Sequence, residues 1–221
     1  MKHPAAVPPI EHLLCRVERV PDQFAITFDD GPSPRHTPLV LDVLRRHGAR
    51  ATFFQMGRRA RRHPEVTRRV RDEGHEVGLH DYLHLPPPIL PRWFRQHELR
   101  ACEAAIRSAG VEPAPFYRPP FGLLRPRQAE DTRALGYRPV LGDVFPLDPM
   151  RPGTERIATW ALECLKAGSI LILHDGSGYA DFDRTQTVEA ADRILTAMAQ
   201  RGLSATSVGG LLDEAARLRT Q

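Results

Sequence analysis

Four short stretches of this chain carry side chains suited to chemistry rather than packing. FAITFDDGP ends an apolar run in two adjacent carboxylates, Asp29 and Asp30. HDYLH sets His80 and His84 four residues apart, RPPFG carries Arg118 into a proline pair, and SILILHDG ends in His174 and Asp175. Each has an ordinary explanation when taken singly: Asp-Gly-Pro and Arg-Pro-Pro are turn sequences, and two histidines at this spacing are often unrelated. Side chains alternate along a strand, so Asp29 and Asp30 meet different surroundings and are free to do two different jobs. Two imidazoles converging from a strand-to-loop turn suit zinc or a similar divalent ion. A carboxylate from another strand end would complete a two-His, one-Asp face that leaves coordination positions open, as catalytic metal sites do.

These residues need a scaffold that brings four strand ends to one rim. Apolar runs alternate with amphipathic stretches along the chain: FAITF, ATFFQM, HEVGLH, PFYRP, RPVLGDVF, SILILH and LSATSV read as strands. Strands alternating with helices imply a parallel sheet, either an open doubly wound sheet or a closed or nearly closed barrel, and both form their sites at the C-terminal strand ends. Thr37 and Pro38 open the first helix and Gly48 closes it. Later helices are expected near 91–109, 126–135, 153–167, 185–201 and 210–219, with Gly110, Gly136, Gly168 and Gly202 following as caps. The proline-dense stretch over residues 83–91 reads as a loop. Residues 1–20 are expected as an N-terminal lead-in and 21–221 as a single α/β domain.

The 221 residues, 41% hydrophobic and 26% charged, are enough for one large core and show no sign of disorder. Cys15, Cys102 and Cys164 are odd in number, widely spaced and without a CxxC, which argues against a disulfide framework or a zinc-thiolate site. Reduced thiols fit a cytoplasmic protein. MKHPAAVPPI has one Lys and no apolar run long enough for an export signal, and no later run approaches a membrane span, so a soluble cytoplasmic chain is expected. The net charge of +4 is carried largely by Arg, densest over residues 57–74. Val66 and Val70 give that run one apolar edge, so it reads as a helix with a solvated basic face. No aromatics are interleaved with it, so no nucleic-acid partner is expected. Contact with a membrane surface and the oligomeric state stay open.

TFDDGPSP, the HxxxH after a strand, RPPFG and ILILHDG follow one another in the order seen in carbohydrate esterase family 4. These are the polysaccharide deacetylases with a NodB homology domain, and the resemblance runs from about residue 24 to about residue 212. It implies a distorted (β/α) barrel with about seven parallel strands, and a metal-dependent hydrolase that removes N-acetyl groups from an amino-sugar oligo- or polysaccharide. By this resemblance Asp29 is the general base, and Asp30, His80 and His84 hold one divalent ion, zinc or alternatively cobalt. Arg118 pairs with the base, and Phe121, the first residue after Arg118 with a backbone N–H, helps hold the oxyanion. His174 is the general acid and Asp148 raises its pKa, with Asp143 the other candidate and an Asp-Pro turn the plainer explanation of Asp148. Tyr82, Phe121, Phe145 and Ile172 are candidate substrate contacts, the last two also readable as core residues.

Two positions depart from the family pattern. Asp81 stands where the family usually has Ser or Thr, and a carboxylate there can take local backbone hydrogen bonds or alter metal affinity. Pro149 stands where the family has a tryptophan, so the wall of the acetyl pocket must come from elsewhere. The substrate is therefore less fixed than the reaction. An O-acetyl ester, a formamide or a lipid-linked sugar is an alternative, a metal-independent cyclic-amide hydrolase another, and a non-catalytic sugar-binding module a remote one that would not need Asp29 or His174.

Overall fold

The computed structural model describes residues 13–220. Seven strands form one wholly parallel sheet. They are β1 (Gln23–Asp29), β2 (Thr52–Gln55), β3 (Glu76–Leu79), β4 (Phe116–Tyr117), β5 (Arg138–Pro139), β6 (Ile170–His174) and β7 (Ser204–Thr206). The order is β5-β4-β3-β2-β1-β6, with β7 pairing the first half of β1. A bridge from Val144 to Leu171 ties the segment after β5 back to β6, so the sheet curls into a distorted, nearly closed barrel. The helices are α1 (Thr37–Arg46), α2 (Gly57–Arg62), α3 (Pro64–Asp72), α4 (Arg92–Ser108), α5 (Pro126–Ala134), α6 (Thr154–Cys164), α7 (Thr185–Gln200) and α8 (Val208–Arg219).

The alternation of β1 shows how the scaffold aims its chemistry. Phe24, Ile26 and Phe28 are wholly buried in the layer between sheet and helices, where Phe28 stacks on Phe53 with centroids 5.2 Å apart. Ala25, on the opposite face of the strand, packs with Phe54, Val140 and Ile170 inside the curl. Asp29 shares the parity of Ala25 and Thr27, so it projects inside the curl at the C-terminal rim. A strand covered on both faces reads as a continuous apolar run, which is how FAITF looks.

Three expectations change. The basic run over 57–74 is two helices, because Pro64 has no N–H to continue α2 and forces His63 out of the helical region (φ −130, ψ 58). Nor is its basic face simply solvated. Arg59 is buried and bonded to Asp181, and Arg69 is paired with Asp42 and Glu73. RPVLGDVF is not one strand: only Arg138–Pro139 pairs with β4, and the chain bends at Asp143, just after Gly142, where a Cβ would lie 2.5 Å from the Ile170 carbonyl. Finally, part of the expected lead-in belongs to the packed body. Leu14, Val17 and Val20 are buried in the inner core, and Leu14 bridges Val140; residues 1–12 of that lead-in lie outside the described residues.

Candidate active site

The C-terminal rim gathers all four chemistry-bearing stretches. Asp30 leaves the end of β1 in the left-handed region (φ 69), which turns its carboxylate away from the direction of Asp29. This tight turn lies directly on the loop after β6. A Cβ at Gly176 would sit 2.1 Å from the Asp30 carbonyl oxygen, and one at Gly31 2.5 Å from an Asp175 carboxylate oxygen. Both glycines are thus fixed by close approach of two strand ends. Asp175 lies wholly buried beneath the turn, accepts from the Thr37 hydroxyl, and is pushed up to about 7 by burial.

His80 and His84 meet Asp30 from the loop after β3. Asp30 Oδ1 is 3.4 Å from His80 Nε2 and 3.1 Å from His84 Nε2, and one donor atom from each of the three residues lies within 4.8 Å of the others. His80 Nδ1 donates to the Arg118 carbonyl at 2.7 Å, which leaves Nε2 facing Asp30, a donor to the carboxylate while the ring is protonated and a lone pair free for a cation when it is neutral. Asp30 Oδ1 and His84 Nδ1 are buried without a hydrogen-bond partner among the described residues. Burial alone would raise the Asp30 carboxyl; the two imidazoles beside it hold it well below the usual carboxylate range. Three buried, converging nitrogen and oxygen donors, one of them orphaned, could hold a divalent cation, and the Arg118 carbonyl would then fix the tautomer of one of its ligands.

On one side of this trio stands the pair Asp29–Arg118. The guanidinium donates through Nη1 to Asp29 Oδ1 at 2.7 Å and to Thr27 Oγ1 at 2.5 Å, and through Nη2 to the Leu141 carbonyl at 2.7 Å. Its carbon lies 4.1 Å from the Phe54 ring centroid. A fully buried cation so held can only point one way, and it gives the Asp29 carboxylate a fixed, charge-assisted partner. On the other side stands His174–Asp148. His174 Nδ1 is 3.0 Å from Asp148 Oδ1, while the His174 amide and the Thr187 hydroxyl both donate to Asp148 Oδ2 at 2.9 Å. Burial would lower His174, but the Asp148 carboxylate outweighs it and the imidazole is pushed up to about 9. Asp143, the alternative partner, instead accepts from the Ile170 amide at 2.8 Å and the Ser169 hydroxyl at 3.0 Å, at the other end of β6.

Asp29, Asp30, His80, His84, Arg118 and His174 line one cleft of about 1130 Å³, mouth included. Phe121 is at its edge, 52% exposed, in the left-handed region (φ 60), with its ring 4.7 Å from that of His84. Its backbone N–H donates to no acceptor among the described residues. Phe145 and Ile172 both line the cleft, with Leu141, Pro149 and Met150 completing that wall where the family tryptophan is missing. Tyr82 does not line it. Left-handed residues at Asp81 and His84 bracket the loop, and Tyr82 turns inward to pack on the core, close enough that a Cβ on Gly57 would be 2.6 Å from its ring. Asp81 is buried and pushed up to about 7 by that burial; its side chain accepts from the Tyr117 hydroxyl at 3.1 Å rather than from a local amide.

Several supporting residues were not foreseen. Glu98 of α4 is buried and accepts from the Leu83 amide at 2.7 Å, bracing the backbone between the two histidines. The signal for it was a carboxylate on the stripe that also carries Leu99, Cys102 and Ile106. Arg184 is buried in the cleft wall, where it donates to the Gly176 carbonyl at 2.7 Å. Tyr179, on the loop after β6, meets the His84 ring edge-on at 5.8 Å. Nothing in the sequence marked these two.

A buried Asp-His-His trio flanked by a carboxylate–arginine pair and a carboxylate–histidine pair, on the rim of a distorted (β/α) barrel, is the constellation of a hydrolase. Residues 17–140 match the family model described as polysaccharide deacetylase. The chain is 37% identical over 191 residues to a peptidoglycan-N-acetylglucosamine deacetylase of Bacillus cereus, covering 86% of this chain and 87% of that one. It is 38% identical over 186 residues to a chitooligosaccharide deacetylase of Sinorhizobium fredii, covering 80% and 86%. Among solved structures, the peptidoglycan deacetylase PdaC of Bacillus subtilis superposes with a TM-score of 0.80 at 27% identity, covering 90% of this chain and 94% of that one. A family 4 carbohydrate esterase of Streptomyces lividans, in complex with acetate, gives 0.76 at 29% identity, covering 85% and 93%. This chain belongs to the polysaccharide deacetylase family.

Proposed function

We propose that this protein removes N-acetyl groups from amino-sugar oligo- or polysaccharides by metal-assisted hydrolysis. The observation that carries the reading is the placement of Asp29 and His174, each locked by its own buried partner, in one cleft with the Asp30, His80 and His84 trio. The relatives named as deacetylases of peptidoglycan and of chitooligosaccharides support the substrate class.

Asp30, His80 and His84 would hold the ion, with zinc favoured by the donor set and cobalt the natural substitute. When bound, such an ion polarises the acetyl carbonyl and acidifies water. Asp29, held in place by its hydrogen bond from Arg118, accepts the proton of the attacking water. The Phe121 amide, free of any acceptor among the described residues, donates to the oxygen on which charge develops. His174 is protonated near neutral pH and gives its proton to the departing amine, while Asp148 keeps the ring oriented through Nδ1 and stabilises its charge. Leu141, Phe145 and Ile172 surround the acetyl methyl and exclude water from that side.

Acetate release from N-acetylated chitooligosaccharides tests this reading, comparing chelator-stripped protein with protein restored by zinc or cobalt. The expected result is release only after restoration. Release of acetate solely from O-acetyl esters would replace the amide with an ester as the substrate. A cytoplasmic location belongs to the same proposal, supported by the free thiols of Cys15, Cys102 and Cys164 and tested by fractionating cells that make the protein.

A further inference from the structure

The wall that Met150 gives the catalytic cleft has a second side. Beyond it, between the turn Asp148–Met150 and α6, lies a groove of about 1110 Å³, mouth included, close in size to the cleft itself. Met150 is 74% exposed and borders both hollows. The two therefore adjoin across one mobile thioether side chain.

The groove is lined by Leu147, Pro152 and the indole of Trp160, with Arg156, Thr159 and Glu163 among its polar groups. α6 packs through Ile157, Ala158 and Ala161, and Trp160 lies outside that stripe with 39% of its surface exposed. Trp160 and Glu163 are one turn apart, as are Arg156 and Trp160, so a flat apolar ring has charged groups of both signs beside it on the helix surface. Glu163 is in no ion pair among the described residues. A pyranose has matching chemistry: an apolar face of C–H groups and a rim of hydroxyl and amino substituents that seek hydrogen-bonding partners.

We propose that this groove is a distal subsite, holding further sugar units of the same chain whose N-acetyl group lies in the catalytic cleft. The proposal rests on the deacetylase reading and adds to it a preference for substrates long enough to pass Met150. Trp160 is the stacking platform, and Glu163 and Arg156 receive the polar rim. A monosaccharide engages only the cleft, so length selectivity resides in α6 and not in the catalytic residues.

The test compares wild type, Trp160→Ala and Trp160→Phe, each as the metal-loaded full chain, using N-acetylated chitooligosaccharides from dimer to hexamer. KM is measured by acetate release, and Kd independently by titration calorimetry. In wild type both constants should fall with length. Trp160→Ala should raise them about tenfold for the hexamer, a loss within the range of one well-placed aromatic contact. It should leave the dimer and kcat unchanged, and Trp160→Phe should retain most of the gain with length. The same length dependence in wild type and Trp160→Ala, or none in either, overturns the subsite. If the tenfold loss of Kd appears but no member releases acetate, the subsite stands and the deacetylase reading falls.

Discussion

Replacing Asp148 by Asn removes a charge while keeping the shape of the group that touches His174, which isolates one electrostatic contribution. Burial favours the neutral imidazole, yet His174 is pushed from its ordinary 6.5 up to about 9, and Asp148 is the largest of the causes that raise it, ahead of Asp30 and Asp29. A bound cation would offset those last two carboxylates, so the informative quantity is the difference between wild type and variant. With an apparent pKa of about 9, roughly 90% of His174 carries its proton at about pH 8; with about 6.5, roughly 3% does, a loss of about thirtyfold in the competent form. The basic limb of kcat/KM against pH should therefore move down by up to about 2.5 units in Asp148→Asn, with activity partly regained near pH 6. Stability follows the same sign. A raised folded-state pKa adds stability that is fully present below about pH 6.5 and is lost as pH rises through about 9, and the cited shift corresponds to about 3 kcal/mol. Chemical denaturation at about pH 6 and about pH 9.5 should show this fall in wild type and little of it in the variant. The assay is acetate release across the pH range with saturating metal, with Asp143→Asn as control because Asp143 bonds Ser169 and Ile170 at the other end of β6. An unmoved basic limb in Asp148→Asn would refute the assignment of His174 as an acid tuned by Asp148.

Glu98→Gln keeps the size of the side chain but weakens its hold on the Leu83 amide, a charge-assisted hydrogen bond to the loop between the histidines. Metal affinity measured by competition with a chelator should drop about tenfold or more, as for other groups that orient metal ligands, with little change in Tm. Phe28→Ala empties a wholly buried site stacked against Phe53 and should lower stability by about 3–5 kcal/mol, read from the denaturation midpoint. Arg118→Lys keeps one charge but cannot span Asp29, Thr27 and the Leu141 carbonyl together. Its kcat should fall far more than its metal content, and a kcat equal to wild type would show that the fork geometry is unimportant.

The strand ends were legible because a buried parallel strand shows its chemistry as polar residues that interrupt an apolar run. Asp29, His80 and His174 stand out for that reason, and all lie on the rim where the alternation of elements puts them. The resemblance to a known family supplied the partners that spacing cannot, such as Asp148, which lies 26 residues from His174 and meets it only through the fold. What sequence did not give follows from tertiary context. Tyr82 looked like a cleft residue between two histidines, but left-handed turns on either side send it inward. The run over 57–74 looked like one helix because charge pattern spoke louder than the single Pro64. Arg184 and Tyr179 belong to a loop whose course is set by donors elsewhere, Arg58 and Arg59 of α2 donating to its Gly178 and Ser177 carbonyls. No local pattern records such a bond.

In the proposed mechanism Asp29 and Asp30, adjacent in sequence, do separate work: one takes a proton and the other holds the ion. Bound metal and acetate release, measured side by side in wild type, Asp29→Asn and His84→Ala, test it most directly. Asp29→Asn should retain its metal and lose turnover, and His84→Ala should lose both. Wild-type turnover in Asp29→Asn, or an unchanged metal content in His84→Ala, would contradict it.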